Sequence, residues 1–173
     1  MVAVYVGSGF YVEVDTTRTD IEKIKAALRW AYDNSETFRV FASANNAMGG
    51  KVLITVTDTG DSPLDAKQIP NPGGGYDSQI IIPTAGIDGD YYDTKNPVGI
   101  GEFNLVRVVS HELPHAVKTV YRNQIDPSYD PLPENIGKEE RQALKIENKI
   151  GKEVGETGDR SSHASATEVD GMA

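Results

Sequence analysis

The chain has 173 residues, a size typical of one domain with a single core, and its apolar (38%) and charged (25%) fractions are those of a globular protein. The net charge of −9 is spread evenly, with 13 acidic and 8 basic residues in the first 100 positions and 13 and 9 in the rest. Without a basic stripe, neither nucleic acid nor a membrane surface is an expected partner. The absence of cysteine leaves His, Asp and Glu as the expected metal ligands.

The first half of the chain predicts a hairpin, one helix and two further strands. Residues 1–15 alternate between apolar and polar side chains around a Gly-Ser-Gly turn, which predicts two paired strands. Residues 17–35 carry apolar side chains at helical spacing. β-branched residues predict strands over 51–58 and 78–84, the second ended by Pro83. We therefore expect this half to supply a sheet.

The second half predicts two helices. Residues 58–77 and 85–101 are rich in Gly, Pro and Asp and are predicted as loops. Apolar side chains spaced by three and four predict helices over 103–121 and 138–154, and a flexible tail is expected from about residue 164 to 173. Strands come mostly first and helices last, so we predict one α+β domain with a small, mostly antiparallel sheet.

The first of these helices contains the motif His-Glu-x-x-His within "VVSHELPHAV". Positions four apart lie on one face of a helix, so His111 and His115 can direct two imidazoles at one zinc ion. Glu112 lies about 100° around the helix, where it can take a proton from zinc-bound water without binding the metal. The motif predicts a zinc peptidase, and a chance occurrence of the pattern is the alternative.

Pro114 is unusual because it stands between the two histidines, inside the predicted helix. It removes the hydrogen bond to the Ser110 carbonyl, and its ring crowds that carbonyl, at a cost of about 3 kcal/mol. A kink there would move His111 relative to His115. Two outcomes are open: the helix absorbs the kink with water on the Ser110 carbonyl, or it bends and binds the metal less tightly.

Catalytic zinc requires a third protein ligand, and the last helix offers carboxylates. Glu140 and Glu147 lie on an otherwise apolar stripe, whereas Glu139 lies beside it. A buried carboxylate needs a partner, and zinc would be one. We predict Glu140 as the third ligand, with Glu147 as a reserve ligand or as a hydrogen-bond acceptor behind a ligand imidazole. In the alternative reading, both carboxylates simply reach water or a nearby Lys or Arg.

Residues 73–163 resemble the effector zinc metalloproteases typified by NleD, which bacterial pathogens secrete through type III systems and which have relatives among polymorphic toxins. The segments "SHELPHAV" and "EERQALKIENKIGKEVGETGDRSSH" carry the resemblance, which is weak over the first 70 residues. It implies that residues 1–173 form a single zincin-like metalloprotease domain with a His-Glu-x-x-His active-site helix.

The resemblance also implies roles for individual residues. Glu112 would be the general base, and Arg160 and His163 would lie near the site and orient substrate or stabilise the oxyanion; an ordinary exposed tail is the alternative for these two. Members with defined targets cleave host mitogen-activated protein kinases, so the resemblance implies a secreted virulence factor that acts on a protein substrate in the host or target-cell cytoplasm. We expect a monomer. The Zn²⁺ ligands implied by the resemblance are His111, His115 and Glu140.

The expected function is that of a zinc-dependent endopeptidase, in which Glu112 assists the attack of zinc-bound water on a peptide bond. An extended substrate is expected to pair with an exposed strand edge, for which residues 78–84 are the best candidate. The alternative is a pseudo-protease, catalytically impaired by Pro114, that acts as an interaction protein on the same scaffold.

Overall fold

A computed structural model describes the protein over residues 2–14, 20–58, 65–83, 91–93, 105–126, 136–155 and 166–168. Over these residues the chain forms four helices and seven strands, which confirms the predicted α+β class. None of the four described helices combines the length and the apolar character that a membrane span requires.

The helices and strands lie close to their predicted positions in the second half of the chain and differ more in the first half. The helices are α1 (Asp20–Asn34), α2 (Glu36–Ala47), α3 (Leu105–Ile125) and α4 (Ile136–Glu153). One sheet contains β1 (Val2–Gly7), β2 (Phe10–Val14), β3 (Val52–Thr57), β4 (Lys67–Gly73) and β5 (Tyr76–Pro83). A separate antiparallel pair consists of β6 (Tyr91–Asp93) and β7 (Ala166–Glu168).

The five-stranded sheet is mixed, and the prediction of a mostly antiparallel sheet is wrong. Its strand order is β1-β2-β3-β5-β4. The two outer pairs are antiparallel, whereas β2 with β3 and β3 with β5 are parallel. The parallel pairing of β2 and β3 follows from α1 and α2, which carry the chain back across the sheet so that β3 starts at the same end as β2.

Helix α2 lies in a segment for which the sequence patterns predicted no element. It begins after Ser35, whose side-chain oxygen accepts a hydrogen bond of 3.0 Å from the backbone N–H of Phe38. Such an N-cap satisfies one of the backbone donors that a helix start leaves without a partner. The sequence signal was therefore present in Ser35 and the Glu36 that follows it.

Strand β4 forms inside the segment predicted as a loop. It covers most of the strand edge at residues 78–84 that was predicted to pair with an extended substrate. Because β4 pairs with one side of β5 and β3 with the other, residues 78–81 are interior and cannot accept a further strand. Among the described strands, β1 and β4 form the two edges of the sheet. Pro70 and Pro72 lack backbone donors, which is tolerated on an edge strand and leaves fewer N–H groups for pairing with another chain.

A single hydrophobic core lies between one face of the sheet and the helices. The inward-facing residues alternate along the central strands and are almost fully buried: Phe10, Val12, Val52, Ile54, Ile80 and Ile82. Helix α3 packs on β4 and β5 and also contacts the other three helices. This central position surrounds the His-Glu-x-x-His segment with fixed neighbours.

A polar link sets the position of α3 against the sheet. The side-chain amide of Gln68 on β4 donates to Ser78 Oγ on β5 at 2.8 Å and to Thr119 Oγ1 on α3 at 3.1 Å. Thr119 in turn donates to the backbone carbonyl of His115 at 3.0 Å. These buried polar groups are satisfied by one another, so sliding α3 along the sheet would break several hydrogen bonds.

Glu153 at the end of α4 is expected to stabilise the start of α2 in a pH-dependent way. Its carboxylate accepts hydrogen bonds from Ser35 Oγ and Thr37 Oγ1, each at 2.8 Å, and from the Thr37 backbone N–H at 3.3 Å. Burial alone would raise the pKa of Glu153, but these hydrogen bonds outweigh it and hold the pKa below its ordinary value. The stabilisation is therefore present at neutral pH and lost as the pH falls through the lowered pKa.

We expect Glu153→Gln to lower the free energy of unfolding at pH 7 by about 0.5–2 kcal/mol, the range for losing a helix cap or a charge at a helix start. Urea unfolding of both chains at pH 7 and at about pH 3, below the ordinary carboxyl pKa, measures this. The difference should shrink at the lower pH. An equal difference at both pH values would show that the charge of Glu153 contributes nothing.

Candidate metal centre

One face of α3 is ionic and lies against α4. The residues of this face recur every three or four positions, and each is within ion-pair distance of a glutamate on α4: Arg107, His111, His115, Lys118 and Arg122. The glutamates that meet it are Glu139, Glu140 and Glu147. Because a helical spacing of three and four keeps side chains on one side, the two histidines occupy the middle of this helix–helix interface.

His111, His115 and Glu140 form a group that could hold a metal ion. One ligand atom from each lies within 4.8 Å of the other two. Nε2 of His111 is 3.0 Å from Glu140 Oε2, and Nε2 of His115 is 3.0 Å from Glu140 Oε1. The structure therefore brings together the three residues that were predicted from the sequence as metal ligands.

The donor set fits zinc, which binds imidazole nitrogen and carboxylate oxygen. The two separations of 3.0 Å end on different oxygens of Glu140, and one ligand atom of each residue lies within 4.8 Å of the other two, so the three side chains are close enough to converge on one ion. Nε2 of His115 is buried, and among the described residues it has no hydrogen-bond partner of acceptable geometry despite its closeness to Glu140. A buried polar atom in that state is one that a metal ion would satisfy.

The other ring nitrogen of His111 is held by Glu147. Nδ1 lies 2.9 Å from Glu147 Oε1, and Glu147 is fully buried. The second carboxylate oxygen accepts from Arg107, whose Nε lies at 3.1 Å and Nη2 at 3.0 Å. Of the readings left open for Glu147, these contacts match two at once: its oxygens serve a nearby arginine and also lie behind the imidazole of His111.

The Nδ1 atom of His115 lies farther from its neighbouring carboxylate than that of His111 does. Its Nδ1 is 3.8 Å from Glu139 Oε2, which is too long for a hydrogen bond. Glu139 Oε1 lies 3.0 Å from both Lys118 Nζ and Arg122 Nη1. Each histidine of the candidate group thus has a carboxylate of α4 on its Nδ1 side, and each of those carboxylates also contacts a Lys or Arg of α3.

Glu112 is a buried carboxylate next to the candidate metal group. Only 4% of its surface is exposed, and burial raises its pKa to about 7. The imidazoles of His111 and His115 oppose this increase, whereas the charges of Glu140 and Glu147 add to it. A general base works best when its pKa is near the working pH, so this environment suits a group that accepts and returns a proton.

The pKa values of His111 and Glu140 shift in opposite directions. Burial alone would lower the pKa of His111, but the hydrogen bonds with Glu140 and Glu147, together with nearby carboxylate charges, raise it to about 9. Burial alone would raise the pKa of Glu140, yet the imidazoles of His111 and His115 outweigh it and hold that pKa far below its usual range. The two shifts describe one ion pair, in which His111 carries the proton and Glu140 is ionised.

Pro114 does not separate the two histidines. Helix α3 continues through it as one helix, and both Nε2 atoms reach the same carboxylate. Its ring lines an apolar cavity of about 380 Å³ between α2, α3 and α4, together with Phe41 and Ile146. The described geometry thus keeps the two histidines together on one continuous helix.

Two predicted site residues fall outside the part of the chain that the structure describes, and one residue near the site was not predicted. Arg160 and His163 lie outside the described residues, so their roles stay predictions. Arg107 was not singled out, although it is buried and directly contacts Glu147. Its signal was a cation in an apolar run, one helical turn before His111, which places both side chains on the same face of α3.

No protein-family model matches the chain, and neither a curated protein nor a solved structure is significantly similar to it. What the centre can do therefore follows from its own geometry.

Proposed function

We propose that this chain is a zinc-dependent endopeptidase. The observation that carries the proposal is the convergence of His111, His115 and Glu140 beside the buried carboxylate of Glu112. Three protein ligands leave the fourth tetrahedral position open, as in catalytic rather than structural zinc sites. The separate pKa values of Glu112 and Glu140 also fit two carboxylates with different roles, one exchanging protons and one remaining charged.

The residues of the chain divide the work of peptide hydrolysis. A zinc ion held here would polarise the scissile carbonyl and lower the pKa of water toward neutrality. Glu112 accepts a proton from the attacking water and passes it to the nitrogen of the leaving amine. Glu140 stays ionised, and the packing of α3 and α4 limits the entry of bulk water into the centre.

We also propose a zincin-like domain acting as a secreted bacterial effector or toxin. A His-Glu-x-x-His helix packed on a mixed sheet, with its third ligand on the next helix, supports the domain assignment. The biological setting and a host kinase substrate are supported by the resemblance to the NleD-like proteases. The resemblance lies mainly in the segments that form α3 and α4.

A pseudo-protease that acts as an interaction protein is the second candidate. Arg107 pairs with Glu147 and Arg122 with Glu139, each at 3.0 Å, so α3 and α4 are joined by ion pairs that do not require a metal. In this reading the ionic interface has a structural role, and the chain binds a partner without cleaving it. Zinc content and peptidase activity separate the two candidates.

The proposal predicts one zinc ion per purified chain and cleavage of an unfolded protein such as casein. Elemental analysis measures the zinc, and appearance of peptide fragments measures the cleavage. A zinc chelator should abolish cleavage, and added zinc should restore it. His115→Ala should lose the ion, since two ligands do not hold catalytic zinc.

His163→Ala is the matched control, because it removes the one histidine outside the motif. It should keep one zinc per chain. A chain that takes up no zinc even in excess metal would contradict the peptidase proposal and favour the interaction protein.

A further inference from the structure

Arg107 is buried with 3% of its surface exposed, an unusual place for a guanidinium. Its Nε and Nη2 both reach Glu147 Oε2, at 3.1 and 3.0 Å, and Nη2 also donates to Asn148 Oδ1 at 3.0 Å. The guanidinium therefore occupies one oxygen of Glu147 and leaves Oε1 directed at His111. Two donors of the rigid guanidinium converge on this one oxygen and hold it in place in a way that a flexible lysine ammonium cannot.

The orientation of Glu147 decides which nitrogen of His111 faces Glu140. A carboxylate bound to a guanidinium accepts hydrogen bonds, so Nδ1 of His111 is the nitrogen that donates, at 2.9 Å. In the neutral ring this leaves the lone pair on Nε2, which lies on the side of Glu140 and His115. Arg107 thus influences the ring through Glu147 although it lies on the far side of that carboxylate.

Gly151 provides the space for the guanidinium. It is buried in the last turns of α4, and a Cβ placed on it would lie 2.6 Å from Arg107 Nη1 and 3.3 Å from Cζ. Glycine is unfavourable inside a helix, so its presence there is most simply explained by this close approach. Any larger residue would push the guanidinium away from Glu147.

From these contacts we infer that Arg107 is a positioning residue for metal binding. It holds Glu147, Glu147 holds the ring of His111, and Gly151 leaves the room that this arrangement needs. The inference rests on the proposed zinc site and adds to it a buried determinant of metal affinity one helical turn away from the nearest ligand. It concerns binding, so it can be tested without a substrate.

The test uses Gly151→Ala with Gly137→Ala as its matched control. Both substitutions replace a glycine of α4, and nothing lies within 4 Å of a Cβ at Gly137. Helix propensity rises at both positions, whereas the guanidinium is displaced only at the first. Zinc affinity is measured by competition with a chromophoric chelator, and the visible spectrum of the cobalt-loaded chain reports the ligand geometry.

We expect Gly151→Ala and Arg107→Lys to weaken zinc binding by up to about 10-fold, the lower end of the cost of losing a partner behind a ligand, because Glu147 stays in the chain but is no longer held by the guanidinium. Both should also change the cobalt spectrum, while Gly137→Ala changes neither. Thermal unfolding of the metal-free chains shows whether each variant is folded. If Arg107→Lys fails to fold, Gly151→Ala alone decides.

Three outcomes are distinguishable. Weaker zinc binding and a changed cobalt spectrum in Gly151→Ala support the inference. Unchanged affinity and spectrum, with the wild-type chain binding one zinc, overturn the inference and leave the proposed function standing. A wild-type chain that binds no zinc overturns the proposed function, and the inference falls with it.

Discussion

Replacing Glu112 with glutamine is expected to lower the peptidase activity of the zinc-loaded chain by about 10²- to 10⁴-fold, the usual contribution of a general base. Glutamine has nearly the same shape but cannot accept the proton from water. Because Glu112 is buried and is not one of the three grouped ligands, the variant should keep one zinc per chain and its fold. Rates of casein cleavage, measured together with the zinc content, test this.

Glu22→Gln is the control for the loss of a carboxylate, since Glu22 is exposed on α1. Its activity should equal that of the unchanged chain. A Glu112→Gln chain that binds zinc and cleaves at the full rate would show that the buried carboxylate is not the base, and the proposed mechanism would have to be abandoned.

The largest effect on stability is expected from Glu147→Ala. Glu147 and Arg107 are 3.0 Å apart, and their side chains are 0% and 4% exposed. Removing the glutamate takes away the carboxylate that the buried guanidinium contacts, which costs about 3–5 kcal/mol. Urea unfolding of the metal-free chain at neutral pH measures this loss directly.

The exposed pair of Arg29 and Asp33 is a matched control, because its separation is also 3.0 Å but its side chains are 79% and 50% exposed. Asp33→Ala should change the free energy of unfolding by less than about 1 kcal/mol. The double variant Arg107→Met with Glu147→Leu should recover part of the stability lost in Glu147→Ala, because neither charge of the pair then remains, although Nδ1 of His111 still loses its acceptor. A small effect of Glu147→Ala, similar to that of Asp33→Ala, would contradict this account of the buried pair.

The metal group could be predicted because its ligands follow local rules. A spacing of four places His111 and His115 on one helical face, and the apolar stripe of α4 already pointed to Glu140 as a carboxylate near the core. The structure brings these residues together, although the presence of zinc and catalysis stay predictions. Helices α3 and α4 and strands β3 and β5 were also predicted within a few residues of their ends.

The features that were missed depend on residues far apart in the chain. The parallel pairing of β2 with β3 depends on the path of α1 and α2 across the sheet, which no local pattern contains. Strand β4 was hidden because its prolines are typical of loops and are tolerated only at an edge. Arg107 resembled an ordinary helical cation, since its partner Glu147 lies 40 residues later.

Pro114 gives α3 a property that its continuous shape conceals. Because proline has no N–H, the ladder of backbone hydrogen bonds lacks the rung that would join residue 114 to the carbonyl of Ser110. His111 and His115 stand on either side of that gap. A metal ion bound to both imidazoles would link the two helical turns that this missing hydrogen bond leaves unconnected. Metal binding would therefore stabilise α3 at the point where its own backbone hydrogen bonding is weakest.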